Sequence, residues 1–238
     1  MSVTGHTVLM VPGPLRHLLF LSPHCDDAVL ACGCVLESHP GSVVATVCAG
    51  RPRTGDAVTE WDAAAGFGPH DDVMAARRAE DLAALSLLGA SPVWLDFRDR
   101  QYEPAHEPRD LQRAIDGLVR AIRPHALFIP LGLFHSDHRA VHDAAVKVSL
   151  VHRSLASFLY EDALYRRIPG LVEQRLTALA DAGFSVTPVS FPSRDPSERK
   201  MQAVQRYRSQ LCALTTRGRP GYLDAVSPER YWRMTRAV

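Results

Sequence analysis

The 238-residue chain is short of several things, and each shortage narrows what it can be. Its longest apolar stretches, such as HLLFLSP at 17–23, fall far below the roughly 20 residues that a membrane-spanning helix needs. It has no surplus of one charge: 27 basic and 26 acidic side chains are scattered along it for a formal net charge of +1. A nucleic-acid partner or an anionic membrane would call for a basic footprint, so small-molecule partners are favoured instead. No Cys-x-x-Cys pair occurs, and the odd set Cys25, Cys32, Cys34, Cys48 and Cys212 argues against a disulfide framework and against a thiolate zinc site. Cys32, Cys34, Cys48 and Cys212 are expected to be small buried hydrophobes. Internal repeats and low-complexity segments are missing, and the Arg-rich patch RPRTGD at 51–56 is too short for a basic tail. The N-terminus lacks the charged-then-apolar order of a secretory signal. The expectation is a single domain over 1–238, cytoplasmic, with no membrane insertion and no nucleic-acid partner, and with homo-oligomerisation open.

What is present has the balance of a packed globular protein, 46% apolar and 22% charged. Apolar runs bounded by turn residues predict strands near 17–21, 43–48, 92–97, 126–130 and 156–160. Between them, helical spacing predicts helices over 27–37, 72–88 (Met74, Leu82 and Leu85 on one face), 109–122 (Leu111, Ile115, Leu118, Ile122) and 139–152 (Val141, Ala145, Val148). Short, wholly apolar strands alternating with helices imply an α/β fold, a Rossmann-like and mostly parallel sheet with helices on both faces. A C-terminal portion is added: a helix to about 182, an alternating strand FSVTPVSF at 184–191 that Pro188 makes an edge candidate, and a helix from about 196 to 214. Loops 49–71 and 98–108 are long and leave the C-terminal ends of predicted strands, where function concentrates.

In open α/β sheets, sites form outside the carboxyl ends of the strands. Two clusters lie there: His24, Asp26 and Asp27 in SPHCDDAVLACG, and His135, Asp137 and His138 in FIPLGLFHSDHRAVH. Imidazole with carboxylate suits zinc and related divalent ions, and a catalytic zinc keeps one position for water. Taken singly, Asp26, Asp27 or Asp137 reads as a helix cap before it reads as a catalyst, and only the conjunction of two clusters shifts that balance. The near-copy PHDDVMAA at 69–76 follows no strand, and its Asp71 and Asp72 read as N-terminal helix acids. A dinucleotide site is excluded, because the first strand is followed by acids rather than a Gly-x-Gly-x-x-Gly turn.

The run His24-Cys25-Asp26-Asp27-Ala28 with the run His135-Ser136-Asp137-His138 resembles the hallmark of the PIG-L/LmbE-like zinc-dependent N-deacetylases. Weaker likeness extends through RRAEDLAALSLLGA (77–90), Asp99, YEDALY (160–165) and KMQAVQRYRSQL (200–211). The resemblance implies Zn2+, with Fe2+ as an alternative, held by His24, Asp27 and His138, and Asp26 as general base. His135 would polarise the amide carbonyl or donate to the departing amine, and Asp137 would orient the histidines. Arg77 and Asp99 would contact the substrate, an amino sugar or glycoconjugate from which an N-acetyl or other N-acyl group is removed.

The chain departs from the pattern at Cys25 and Ser136, where Pro is usual, and at Ala28, where Glu is frequent. Leu133 stands where some relatives have a tyrosine, leaving Tyr102, Tyr160 and Tyr165 as unranked candidates for its role. Two other readings remain at this level: hydrolysis of another amide or an ester at the same site, and a metal- or sugar-binding protein without turnover.

Overall fold

The computed structural model describes residues 9–10, 15–53, 57–193 and 197–237. In chain order its elements are β1 (Leu9–Met10), β2 (Leu18–Ser22), α1 (Asp27–Ser38), β3 (Val43–Thr46), α2 (Glu60–Ala64), α3 (Val73–Leu87), β4 (Ser91–Trp94) and α4 (Pro108–Ile122). There follow β5 (Ala126–Pro130), α5 (Ser136–Val151), β6 (Ala156–Tyr160), α6 (Leu171–Asp181), β7 (Phe184–Ser190), α7 (Glu198–Val204), α8 (Arg208–Leu214) and β8 (Tyr231–Arg236). The strands form one eight-stranded sheet in the order β1-β7-β8-β6-β5-β2-β3-β4. Every pairing is parallel except the two made by β8, which runs antiparallel to both β6 and β7. This is the expected α/β fold, a Rossmann-like sheet with helices on both faces.

The central strands are apolar throughout because both faces are covered. In β2, Leu18 and Phe20 join a core cluster with α1, α3, α7 and α8, while Leu19 and Leu21 join a second cluster with α4, α5 and α6. On the first face an aromatic ladder crosses three strands, with Phe20 stacked on Phe128 at 4.2 Å and Phe128 on Phe158 at 5.3 Å. From the central pair β2 and β5 the sheet grows in opposite directions, through β3 and β4 on one side and β6 on the other. That reversal opens a crevice at the carboxyl ends of β2 and β5, directly below both His/Asp clusters. Gly50 brings the two long loops together there: its N–H donates to Phe97 O at 2.7 Å, and a Cβ would stand 2.7 Å from Asp96 O, so only glycine fits.

Several expectations need correction. The predicted helix over 196–214 is two helices, broken at 205–207, and loop 49–71 contains the short α2. On α3, Met74 and Leu85 are buried as expected, but Leu82 is 47% exposed, and the buried stripe between Met74 and Leu85 is filled by Arg77 and Asp81. Its two charged members hide it from a hydrophobicity pattern. Pro188 is not on the outermost strand, because β7 lies between β8 and β1; but β1 reaches only Val189 and Ser190, so Pro188 has its paired neighbour Trp232 on one side only. Cys212, expected to be buried, is exposed on α8, whereas Cys32, Cys34 and Cys48 are buried as expected.

Candidate active site

The site is assembled by two turns of different design. After β2 the chain turns so that Asp26 becomes the N-cap residue of α1, yet its side chain makes no cap hydrogen bond, so the simple capping role is not realised. Asp27 instead accepts the His24 backbone N–H through Oδ2 at 2.8 Å, and Ser22 Oγ accepts the Ala28 N–H at 3.0 Å. After β5, Gly132 (φ 79°) lets the chain pass close to His142, and α5 begins earlier than expected, at Ser136. Its cap is His135, whose Nδ1 accepts the Asp137 N–H at 3.2 Å. That bond puts the proton of neutral His135 on Nε2. Asp137 is thereby free of the capping duty, and its Oδ2 lies 3.1 Å from His24 Nε2 and accepts the Arg100 N–H at 3.0 Å.

The two clusters meet. The rings of His24, His135 and His138 form a triangle with centroids 5.0, 5.3 and 5.6 Å apart. Asp27 Oδ2 stands between two of them, 3.1 Å from His24 Nδ1 and 3.2 Å from His138 Nε2. Asp99, at the start of loop 98–108, approaches His24 Nε2 at 3.7 Å. Arg77 is placed differently. It is buried on α3, its NH2 donates to Asp62 at 2.7 Å and its NH1 to the Tyr102 hydroxyl at 3.3 Å, and Tyr102 in turn donates to Asp62 at 2.7 Å. This network ties α3 to both long loops.

One residue without an assigned role in the sequence is central. Asp162, buried after β6 in YEDALY, binds His138 Nδ1 at 2.6 Å through Oδ1 and accepts the Leu133 N–H at 2.9 Å through Oδ2. It thereby orients one imidazole and the turn of the second cluster together, the job of a carboxylate behind a ligating histidine. Its signal in the sequence was an acid just past a buried strand. The tyrosines also separate: Tyr160 donates to Leu21 O and Tyr102 to Asp62, whereas the Tyr165 ring lies against His138 at 5.2 Å. Phe134, 57% exposed and held at φ 55°, lies tilted against Tyr165 with ring centroids 5.3 Å apart, making an aromatic ledge beside His135. In the near-copy at 69–76, Asp72 caps α3 by accepting the Ala75 N–H at 3.0 Å, as expected.

The electrostatics follow from burial and neighbours. Burial pushes the Asp26 carboxyl up, helped by the adjacent Asp27 charge, to about 7. Burial also opposes the charge of Asp27, but His138 and His24 outweigh it and hold its carboxyl well below the usual range. Burial works against protonation of His24 and His138 too; Asp99, Asp137 and Asp27 nonetheless raise His24, and Asp27 with Asp162 raises His138 to about 9. His135 moves the other way, lowered by burial and by His24 and His138. The donor set therefore suits a divalent cation: two imidazoles embedded among carboxylates can exchange their protons for a metal ion. Donor atoms of His24, His135 and His138, and of His24, Asp99, His135 and Asp137, lie close enough together to share one ion.

Fold and site define an α/β enzyme that gathers imidazoles and carboxylates at the switch point of a mostly parallel sheet. Over residues 19–149 the chain matches PIG-L, described as GlcNAc-PI de-N-acetylase, and it belongs to that family of N-deacetylases. No curated protein matches. Among solved structures, the A40926 pseudoaglycone deacetylase is similar at 25% identity and a TM-score of 0.73, covering 94% of this chain and 99% of that one. The zinc-inhibited form of teicoplanin deacetylase is similar at 24% identity and a TM-score of 0.74, covering 93% and 99%. The N,N'-diacetylchitobiose deacetylase of Pyrococcus horikoshii shares the fold at 20% identity and a TM-score of 0.51, covering 82% of this chain and 71% of that one. Among the described residues, no helix is long and apolar enough to cross a membrane.

Proposed function

We propose that this chain hydrolyses an N-acyl group, in the first place N-acetyl, on an amino sugar or a glycosylated small molecule. The observation that carries the proposal is the Asp27 oxygen shared between His24 Nδ1 (3.1 Å) and His138 Nε2 (3.2 Å), beside an Asp26 carboxyl that caps nothing. Family membership and the likeness to A40926 pseudoaglycone deacetylase support the choice of bond and of a glycosylated substrate.

His24, Asp27 and His138 would hold a divalent ion, zinc or iron(II), which when bound polarises the amide carbonyl and acidifies a water. Asp26, with its carboxyl pushed up to about 7, takes the proton from the attacking water near neutral pH and returns it to the departing amine. His135, neutral and protonated on Nε2, donates to the carbonyl oxygen as negative charge develops there. Asp137 fixes His24 and the start of loop 98–108, so it positions rather than reacts. The Tyr165 hydroxyl is the tyrosine proposed to assist at the same oxygen. Asp99 would accept from a substrate hydroxyl, and Arg77 would serve the substrate site by holding Asp62 and Tyr102 in the loops that border it. The ledge of Phe134 and Tyr165 would take an apolar face of the substrate.

Acetate release from matched panels of N-acetyl and O-acetyl sugars and glycosides, with metal content measured in parallel, tests the reading. Asp26→Ala is expected to abolish turnover and keep the metal, whereas Asp27→Ala and His138→Ala lose both. Wild-type turnover in Asp26→Ala would overturn the assignment of the base. Hydrolysis confined to the O-acetyl panel would overturn the amide.

A further inference from the structure

Asp162 and Tyr165 stand three residues apart, so in an extended segment their side chains would leave on opposite sides. Here both return to one imidazole: Asp162 Oδ1 binds His138 Nδ1 at 2.6 Å, and the Tyr165 ring lies against His138 at 5.2 Å. The reversal between them is made at Leu164, with φ 72° and ψ −45°. Those angles lie near the rare γ-turn form, a conformation that L side chains avoid. Leu164 is also buried, in the core cluster shared with α1, α3, α7 and α8. A non-glycine residue keeps such a conformation only where its surroundings over-determine it.

Those surroundings come from the 3-10 turn Leu223–Val226, close to the C-terminal strand. Asp224, buried there, accepts the Leu164 N–H at 2.7 Å and Arg166 Nε at 2.9 Å, both through Oδ2. Arg166 donates further to Asp224 O at 3.0 Å and to Pro228 O at 2.8 Å, and its backbone N–H returns to Asp162 O at 3.1 Å. One carboxylate oxygen thus grips the residues on either side of Tyr165. No hydrogen bond anchors the Tyr165 hydroxyl among the described residues, so the ring takes its direction from the backbone and from its packing on His138 and Phe134. A buried ion pair between two loops is ordinary tertiary packing. A grip on both neighbours of an aromatic at the site, across a strained residue, is more than packing requires.

We propose that Asp224, acting with Arg166, is the positioning residue for Tyr165: it holds Leu164 in the positive-φ turn that lays the Tyr165 ring against His138. Neither residue of the pair touches the reacting atoms. The placement of the ring stands on this geometry alone, whereas its effect on turnover rests on the reading of Tyr165 as the tyrosine that assists at the amide oxygen.

Fluorotyrosine placed at residue 165 of the full chain reports the ring by fluorine NMR, whether or not the protein turns over. The expected result is one resonance away from the free-amino-acid shift, moving toward the free value in Asp224→Ala. It should stay in place in Asp224→Asn, whose amide oxygen can accept both bonds. In kinetics, Tyr165→Phe should lower kcat about 100-fold, as loss of one donor to a developing oxyanion does, and Asp224→Ala at least about tenfold with metal content unchanged. Asp224→Asn should keep most of the turnover. In the Tyr165→Phe background, Asp224→Ala should lower kcat by less than about twofold more, because two changes that act through one group do not add. If Asp224→Ala does not fold, Arg166→Gln, which leaves the Leu164 N–H with Asp224, carries the same readouts with a smaller shift. An unmoved resonance in the variant that folds overturns the proposal. So does an undiminished loss of kcat in the Tyr165→Phe background, because Asp224 would then support the fold alone. Wild-type turnover in Tyr165→Phe would instead remove the tyrosine from the proposed reaction, and the resonance would still decide for or against Asp224.

Discussion

Replacing Asp162 by asparagine isolates the contribution of a residue that touches no ion and no substrate. The side chain faces two donors, His138 Nδ1 at 2.6 Å and the Leu133 N–H at 2.9 Å, and a carboxylate offers each its own oxygen. An amide has one oxygen to give. If that oxygen stays with His138, the amide NH2 confronts the Leu133 N–H, and a stranded buried donor costs about 1–3 kcal/mol. If it turns to Leu133, the NH2 can be accepted only by an unprotonated Nδ1, which moves the proton of His138 to Nε2. That nitrogen faces Asp27 at 3.2 Å, and with Nδ1 turned to Asp162 it is the one left for a metal. In the second case the metal must displace that proton, and in the first a neutral amide supports the Nδ1–H less than a carboxylate does and leaves a poorer ligand; carboxylates behind ligating histidines are typically worth about 10–100-fold in affinity. Competition against a chromophoric chelator at pH 7 should therefore show Asp162→Asn binding metal at least about tenfold more weakly, with a stability loss of about 1–3 kcal/mol for the metal-free protein in denaturant. Metal affinity within twofold of wild type would refute the account of Asp162 as the group that sets the His138 tautomer.

Three further outcomes follow from the packing around the site. Asp81 is buried behind the site, accepting from Trp94 and Tyr207, and burial raises its carboxyl to about 6. The folded state thus holds a proton that the unfolded chain releases near pH 4, so stability falls as pH rises from about 4 to about 6, in total by about 3 kcal/mol. Asp81→Asn should remove that slope, and parallel denaturation curves of the two proteins that keep a constant offset between pH 4 and 7 would contradict it. Gly33 sits inside α1 where a Cβ would stand 2.6 Å from Lys200 Cγ, and Lys200 is a fully buried partner of Glu229 at 2.7 Å. Gly33→Ala should destabilise by about 1–3 kcal/mol through overpacking, despite the better helix propensity of alanine, and a rise in Tm would show that Lys200 can move aside freely. Phe134→Ala should raise KM for substrates with an apolar portion and leave kcat within about twofold, because uniform binding is lost and the transition state is not; an equal fall in kcat would place Phe134 among the groups that orient His135.

The two strand-end clusters were legible because they are local: each lies within four positions just after a wholly apolar strand. That both strands would be neighbours was an inference from α/β topology, and the pairing of Leu18–Phe20 with Ala126–Phe128 realises it. The partners that complete the site are distant in sequence and carry no local mark. Asp162 is 24 residues from His138 in the chain, and Asp62 is 15 from Arg77. On α3 only Leu82 departs from the expected face, because Arg77 and Asp81 occupy buried positions that a hydrophobicity pattern assigns to solvent. β8 escaped notice because Arg233, Thr235 and Arg236 interrupt its apolar pattern, and its pairing comes from β6 and β7 rather than from its own composition. β1, with two residues, is visible only through its partner strand.

The position of β8 has a consequence for how the molecule is made. Of the described strands it is the last to leave the ribosome, yet it lies inside the sheet, the sole link between β6 and the β7–β1 pair. Until Tyr231–Arg236 arrive, the catalytic half of the sheet ends in an open edge at β6, and β7 has only the two residues of β1 for company. A nascent or proteolytically clipped chain would carry a nearly complete active site on a sheet with unpaired strand edges, the kind of surface that recruits other chains. The cluster at the centre of the sheet is thus set early, and the closure that protects it from aggregation comes late.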